Sequence, residues 1–139
     1  MRINILKKLK KEALDPGILS IFLNPYYFVK KGLIKGLRKN SRYLSGKVLD
    51  FGCGNRSYEH LFNPKIFIGI EIYQRGHDHS KERIDLYYDG ITIPFKNNSF
   101  DSILSIEVFE HVFNLADIVK ELNRILKPDG YLLLTLPFV

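Results

Sequence analysis

The chain predicts an α/β fold, a doubly wound and mostly parallel sheet, and three observations carry that prediction. Apolar runs of strand length alternate along the sequence with helical patterns, the order that builds parallel sheets. Val48-Leu49-Asp50-Phe51 then breaks abruptly into Gly52-Cys53-Gly54, so a buried strand ends in a tight turn where glycine permits positive φ and close approach of a ligand to the backbone. Finally, Glu71 stands 21 residues after Asp50, the spacing at which doubly wound nucleotide folds carry the acid that takes the ribose hydroxyls. In such sheets the ligand lies beyond the carboxyl end of the first strand. Asp50 puts a carboxylate there, which disfavours a bare pyrophosphate and suits a cationic or hydroxyl-bearing ligand.

The length of 139 residues is that of one domain, and a hydrophobic share of 45% with a charged share of 26% excludes a disordered chain. The formal charge of +6 is unevenly placed. Residues 1–47 hold 12 Lys and Arg against 2 acids, whereas residues 48–139 hold 9 against 13. The basic excess therefore belongs to an N-terminal helical extension, residues 1–46. The ligand-binding domain, residues 47–139, is mildly acidic, and no nucleic-acid partner is expected for it. Cys53 is the only cysteine, which excludes an internal disulfide; with no apolar run approaching a membrane span, the expected location is the cytoplasm.

Residues 3–14 set Ile3, Leu6, Leu9 and Leu14 among Lys7, Lys8, Lys10 and Lys11, a short amphipathic helix stopped by Asp15-Pro16-Gly17. Its basic face suits either peripheral contact with a membrane surface or plain solvation over a sheet edge. A second helix is expected from Tyr26 to about Arg38, with Asn24 as N-cap and Pro25 in the first turn, packing through Phe28, Leu33, Ile34 and Leu37. After Gly54 a helix is expected from about Ser57 to Phe62, ended by Asn63-Pro64, and then a strand over Ile66–Ile72. The polar stretch that follows contains His77, Asp78 and His79, which are metal-ligand types without a third convergent ligand; a hydrated loop and no metal are expected.

A third strand, Ile84–Tyr88, leads to Asp89-Gly90. That acid can accept from the exocyclic amino group of a base while the Gly90 N–H meets a ring nitrogen, or the pair simply makes a turn. Phe100–Ile106 is the fourth strand, a helix is expected from about Ala116 to Leu126, and Lys127-Pro128-Asp129-Gly130 turns into a fifth strand, Tyr131–Leu136. Right-handed crossovers follow for every parallel connection.

Four blocks, Val48 to Gly54, Ile68 to Glu71, Asp89 to Phe95 with Ser99-Phe100-Asp101, and Leu126 to Tyr131, resemble the class I S-adenosylmethionine-dependent methyltransferases of the type 11 group. The segments Asn24-Pro25-Tyr26-Tyr27, Tyr87 to Gly90 and Leu136-Pro137-Phe138 are similar to members found in surface-glycan biosynthesis clusters. The resemblance implies S-adenosylmethionine as cofactor, with Asp50 and the backbone of Gly52, Cys53 and Gly54 around its methionine part. It places Glu71 on the ribose, Ile72 against the adenine, Asp89 and Gly90 on the adenine edge, and the backbone of Ser105 and Ile106 on the ammonium. It implies methyl transfer to a small-molecule or glycan-type acceptor. The alternative from another class is a cofactor-binding but inactive domain serving as a partner module; a nicotinamide dehydrogenase is disfavoured by Asp50 and the missing Gly-x-Gly-x-x-Gly turn.

Two departures from the family pattern bear on these expectations. Its third glycine is replaced by Arg56, so either the helix start is wider or the arginine turns outward. The family sheet also has an antiparallel pair after the fifth strand, so a sheet truncated after that strand is expected, with self-association through its exposed apolar edge. Glu107, Glu110 and His111 follow the fourth strand and face the acceptor region. His111 is the candidate base, with a structural histidine as the alternative.

Overall fold

The computed structural model describes residues 27–73 and 83–137, and the chain divides into two compact units, Met1–Ser41 and Arg42–Val139. The basic helix expected at residues 3–14, the Asn24-Pro25 helix start and the His77-Asp78-His79 loop lie outside the described residues. In the first unit, helix α1 spans Tyr27–Asn40 and buries Tyr27, Ile34 and Leu37, positions that fall on one stripe. Arg38 and Lys39 sit in its last turn, where cations suit the dipole, and Asn40 Nδ2 donates to Gly36 O at 2.9 Å. The helix thus outruns its expected end at Arg38. Phe28, expected to pack, is 73% exposed.

The second unit is a five-stranded, all-parallel sheet: β1 Lys47–Phe51, β2 Ile66–Ile72, β3 Leu86–Tyr88, β4 Phe100–Ile106 and β5 Leu126–Thr135, in the order β3-β2-β1-β4-β5. β1 and β4 are apolar on both faces because both are covered; Val48, Leu49, Phe100 and Ile103 have essentially no exposed surface. Helix α2, Leu115–Ile125, lays Ile118, Leu122 and Ile125 into the same core as Leu49, Phe51 and Ile70. The chain reverses its direction of travel across the sheet between β1 and β4. That switch point opens a crevice at the carboxyl ends of the strands.

Three expected elements differ. The helix over Ser57–Phe62 is a single 3-10 turn, Glu59–Leu61, because Arg56 takes φ 52 before it and Phe62 is already extended ahead of Pro64. The third strand keeps only Leu86–Tyr88 of its expected five residues. The expected turn at residues 127–130 is part of β5, which starts directly after α2 and absorbs the extra residues as a register shift opposite Phe100 and Ser102, with Asp129 at φ 62. Gly130 belongs there for space: a Cβ would stand 2.9 Å from Asp101 O.

Polar groups at the amino end of the sheet are fully engaged. Asp101 accepts from Lys47 N at 2.7 Å and from Lys127 Nζ at 2.6 Å. Arg124 donates to Ile93 O at 2.9 Å, to Phe95 O at 2.7 Å and to the Glu121 carboxylate, which itself accepts from Ile93 N at 2.9 Å. These bonds tie the loop before β4 to the end of α2.

Candidate active site

At the carboxyl end of β1 the chain turns back over β2: Gly52 N and Cys53 N both donate to Ile70 O, at 3.0 and 3.1 Å. Gly52, at φ 72, has no room for a Cβ because the Val108 side chain fills that position. Gly54, at φ 47, is the reverse case, with nothing within 4 Å of where a Cβ would be. One glycine is there for packing and the other leaves open space.

Glu71 reaches this turn from β2. Its Oε2 accepts from Gly54 N and its Oε1 from Ile72 N, each at 3.1 Å. Each oxygen keeps a lone pair, so the pinned carboxylate can still accept from two neighbouring hydroxyls. Asp50 is only 6% exposed, and burial pushes its carboxyl up to about 7; Arg56 opposes that rise while Glu71 and Glu59 add to it. Burial, with Asp50 and Glu71 nearby, pushes the Cys53 thiol up to about 12, which makes it a small buried residue rather than a nucleophile.

Two cavities flank the turn. One, of about 290 Å³, lies between Gly52, Glu71 and Ile72 on one side and Ile106, Glu107, Val108 and His111 on the other, with Phe51, Tyr88 and Val112 completing its apolar wall. The other, of about 180 Å³, is lined by Asp50, the Gly52–Tyr58 turn and Ile106. Gly52 and Ile106 are common to both. The fold therefore brings together Asp50, Gly52, Cys53, Gly54, Glu71, Ile72 and Ile106 from three separate stretches of sequence.

The remaining sequence candidates sit differently. Asp89 and Gly90 line neither cavity. Asp89 Oδ1 accepts from Ile91 N and Thr92 N, both at 2.8 Å, and these bonds hold its carboxyl below the usual range. Gly90, at φ 81, packs behind Ile72, whose Cδ1 would lie 3.6 Å from a Cβ. Ser105 is fully buried and also lines neither cavity, and its Oγ has no partner. His111 borders the larger cavity but is 80% exposed at the end of a 3-10 turn, Phe109–His111, with Nε2 4.0 Å from Glu110 Oε1.

The sequence reading passed over Tyr58 and Val108, which line the cavities, and Arg56 turns inward rather than outward, with its side chain 8% exposed. Glu107 takes φ 55, a sparsely populated conformation at the cavity wall, fixed by Glu107 N donating to Thr135 O at 3.3 Å. No group of three metal-ligating side chains occurs among the described residues, and no described helix is long and apolar enough to cross a membrane. The open space at Gly54, the pinned Glu71 acceptors and the buried Asp50 carboxyl fit a ligand that combines a hydroxyl-bearing ring with a cationic end.

Residues 49–134 match a family model described as a methyltransferase domain. The chain is 32% identical over 96 residues to a tRNA (carboxymethyluridine(34)-5-O)-methyltransferase of Arabidopsis thaliana, covering 63% of this chain and 23% of that protein. It is 29% identical over 100 residues to a fatty-acid O-methyltransferase of Mycolicibacterium smegmatis, covering 64% and 36%. The chain thus spans little more than a third of these relatives at most. The PH0226 protein of Pyrococcus horikoshii shares the fold with a TM-score of 0.59 at 21% identity, over 90% of this chain and 60% of that one. With more than half of its length matched and the five-stranded switch-point sheet in place, the chain belongs to the methyltransferase domain family and carries the class I S-adenosylmethionine-dependent fold.

Proposed function

We propose that the crevice at the carboxyl end of the sheet holds S-adenosylmethionine and presents it to a small-molecule acceptor of lipid or glycan type. The observation that carries this reading is the larger cavity, where the pinned Glu71 carboxylate and Ile72 face Ile106 across the glycine turn. Glu71 takes the two ribose hydroxyls, Ile72 and Tyr88 pack against the base, and the buried Asp50 with the Gly54 end of the turn receives the cationic methionine end. Asp89 shapes the loop behind Ile72 through the bonds of its Oδ1 to Ile91 N and Thr92 N, and its carboxylate is the acceptor proposed for an adenine amino group.

When bound, S-adenosylmethionine supplies a methyl group on a sulfonium ready for in-line displacement. What the chain adds is positioning: the turn, Ile106 and Val108 fix the approach and keep water from the apolar wall. His111, exposed at the mouth of the cavity, is the group placed to take a proton from a hydroxyl or amine acceptor. The fatty-acid relative supports an apolar acceptor, and so does the wall of Phe51, Val108 and Val112.

Calorimetry of S-adenosylhomocysteine against NAD tests the cofactor assignment: the first should bind and the second should not. Binding of NAD in its place would overturn it. A second reading, a cofactor-binding partner module, is favoured by β5, which among the described residues pairs only with β4 and leaves Leu132 40%, Leu134 36% and Leu136 56% exposed. In that reading the strand pairs with a second copy, and light scattering should report a dimer without methyl transfer.

A further inference from the structure

Arg56 stands where the sequence pattern of the turn calls for glycine, yet its side chain is 8% exposed and is aimed into the domain. Its backbone is held in the left-handed region at φ 52 by Arg56 N donating to Cys53 O at 2.8 Å, a conformation a glycine would take without strain. The guanidinium forms an ion pair with Asp85, just before β3, and the same Asp85 oxygen accepts from Gly69 N of β2 at 2.8 Å. Gly69 must be glycine for this packing, since a Cβ there would lie 2.7 Å from Cys53 Sγ and 2.8 Å from Arg56 Nε. Arg56, Asp85 and Gly69 thus interlock across the turn, the start of β3 and β2, beside the smaller cavity that Arg56 lines.

We propose that Arg56 is the positioning residue of the cofactor turn: anchored by Asp85, it clamps the turn onto β2 and β3 and sets a fixed positive charge in the cavity that holds the Asp50 carboxylate. The inference rests on the proposed cofactor site. The side chain at this strained position makes a contact a glycine could not, the ion pair with Asp85. What it does follows from the charges facing Asp50: Glu71 from β2, Glu59 from the 3-10 turn and the neutral Cys53 thiol all leave that carboxylate without support, and Arg56 alone among the groups acting on it favours the ionised form. An ionised Asp50 is the form that can receive an ammonium.

The test compares the parent with Arg56→Gly, Arg56→Lys and Asp85→Asn. In the free protein, the titration of Asp50 is followed by carboxyl-carbon NMR; in parallel, S-adenosylhomocysteine binding is measured by calorimetry from pH 6 to 8. Arg56→Gly relieves the backbone strain, so it should fold, yet it should raise the Asp50 midpoint by about one pH unit and weaken binding about fivefold at pH 7. The affinity loss should shrink toward pH 8. Arg56→Lys should recover much of the midpoint, and Asp85→Asn, which keeps the Gly69 acceptor but frees the guanidinium, should weaken binding while leaving the fold intact. An Arg56→Gly protein with the parent's Asp50 midpoint and affinity would overturn the inference. Should the parent itself fail to bind, the cofactor reading falls while the Asp50 midpoint still decides the role of Arg56.

Discussion

At the amino end of the sheet, Asp101 is bonded to Lys47 N and Lys127 Nζ, and Glu121 to Arg124 and Ile93 N; these partners hold both carboxyls below their ordinary range. At the carboxyl end, Asp50 is buried with its carboxyl pushed up to about 7, and the buried Arg56 Nε and Ser105 Oγ have no hydrogen-bond partner. One end of the sheet satisfies its polar groups within the fold. The other leaves them underserved, which costs stability and is the state a polar ligand can relieve. The contrast supports the carboxyl end as the proposed binding end on grounds independent of any relative.

The largest effect that would sharpen this contrast is in the pH dependence of stability. Asp50 has a folded value raised above its unfolded one, so its contribution is complete below the unfolded value of 3.8 and is lost as pH rises through about 7. At about 1.4 kcal/mol per unit, that loss is about 4 kcal/mol. Asp101 and Glu121 run the opposite way: their support is present above the ordinary carboxylate values and is lost as pH falls through the lowered ones. Urea unfolding from pH 4 to 8 should therefore show Asp50→Asn gaining on the parent as pH rises and losing S-adenosylhomocysteine binding. A difference curve that stays flat would break the comparison.

Next in size, Glu71→Gln should weaken S-adenosylhomocysteine by about 1 to 3 kcal/mol, the worth of charge-assisted bonds to the ribose, with little change in melting temperature. Calorimetry showing the parent's affinity would remove Glu71 from the site. At the opposite end, Arg124→Ala should cost about 1 to 2 kcal/mol of stability, because it strips the Ile93 and Phe95 carbonyls of their donor, and should leave affinity per folded molecule unchanged. The smallest effect belongs to Asp89→Ala, whose carboxylate already accepts from Ile91 N and Thr92 N through one oxygen. Affinity should fall less than for Glu71→Gln, and discrimination between adenosine and inosine forms of the ligand should relax; unchanged discrimination would leave Asp89 as a turn residue alone.

Much of this was legible in the sequence. β2 and β4 occupy their expected residues, and β1 adds only Lys47, because central parallel strands are rich in apolar residues on both faces. Asp50, the glycine turn and Glu71 were readable because each is a polar or glycine interruption at the carboxyl end of such a strand. Elements whose identity depends on a partner were not. Residues 57–62 have helical content but are caught between the Arg56 turn and Pro64, and residues 127–130 have turn composition but are drawn into β5 by pairing with β4.

By itself, then, the sequence determined the strand and helix alternation, the place of the glycine turn and the acids that border it, since these follow from local periodicity and residue chemistry. Tertiary structure decided how the polar side chains around that turn are directed. Asp89 turned its carboxylate to its own loop, Ser105 was buried behind the wall, and Arg56 swung inward to Asp85, 29 residues away in sequence. The reason is physical: a side chain's direction and charge are set by the neighbours that bury it, and those neighbours meet only when the sheet has closed around them.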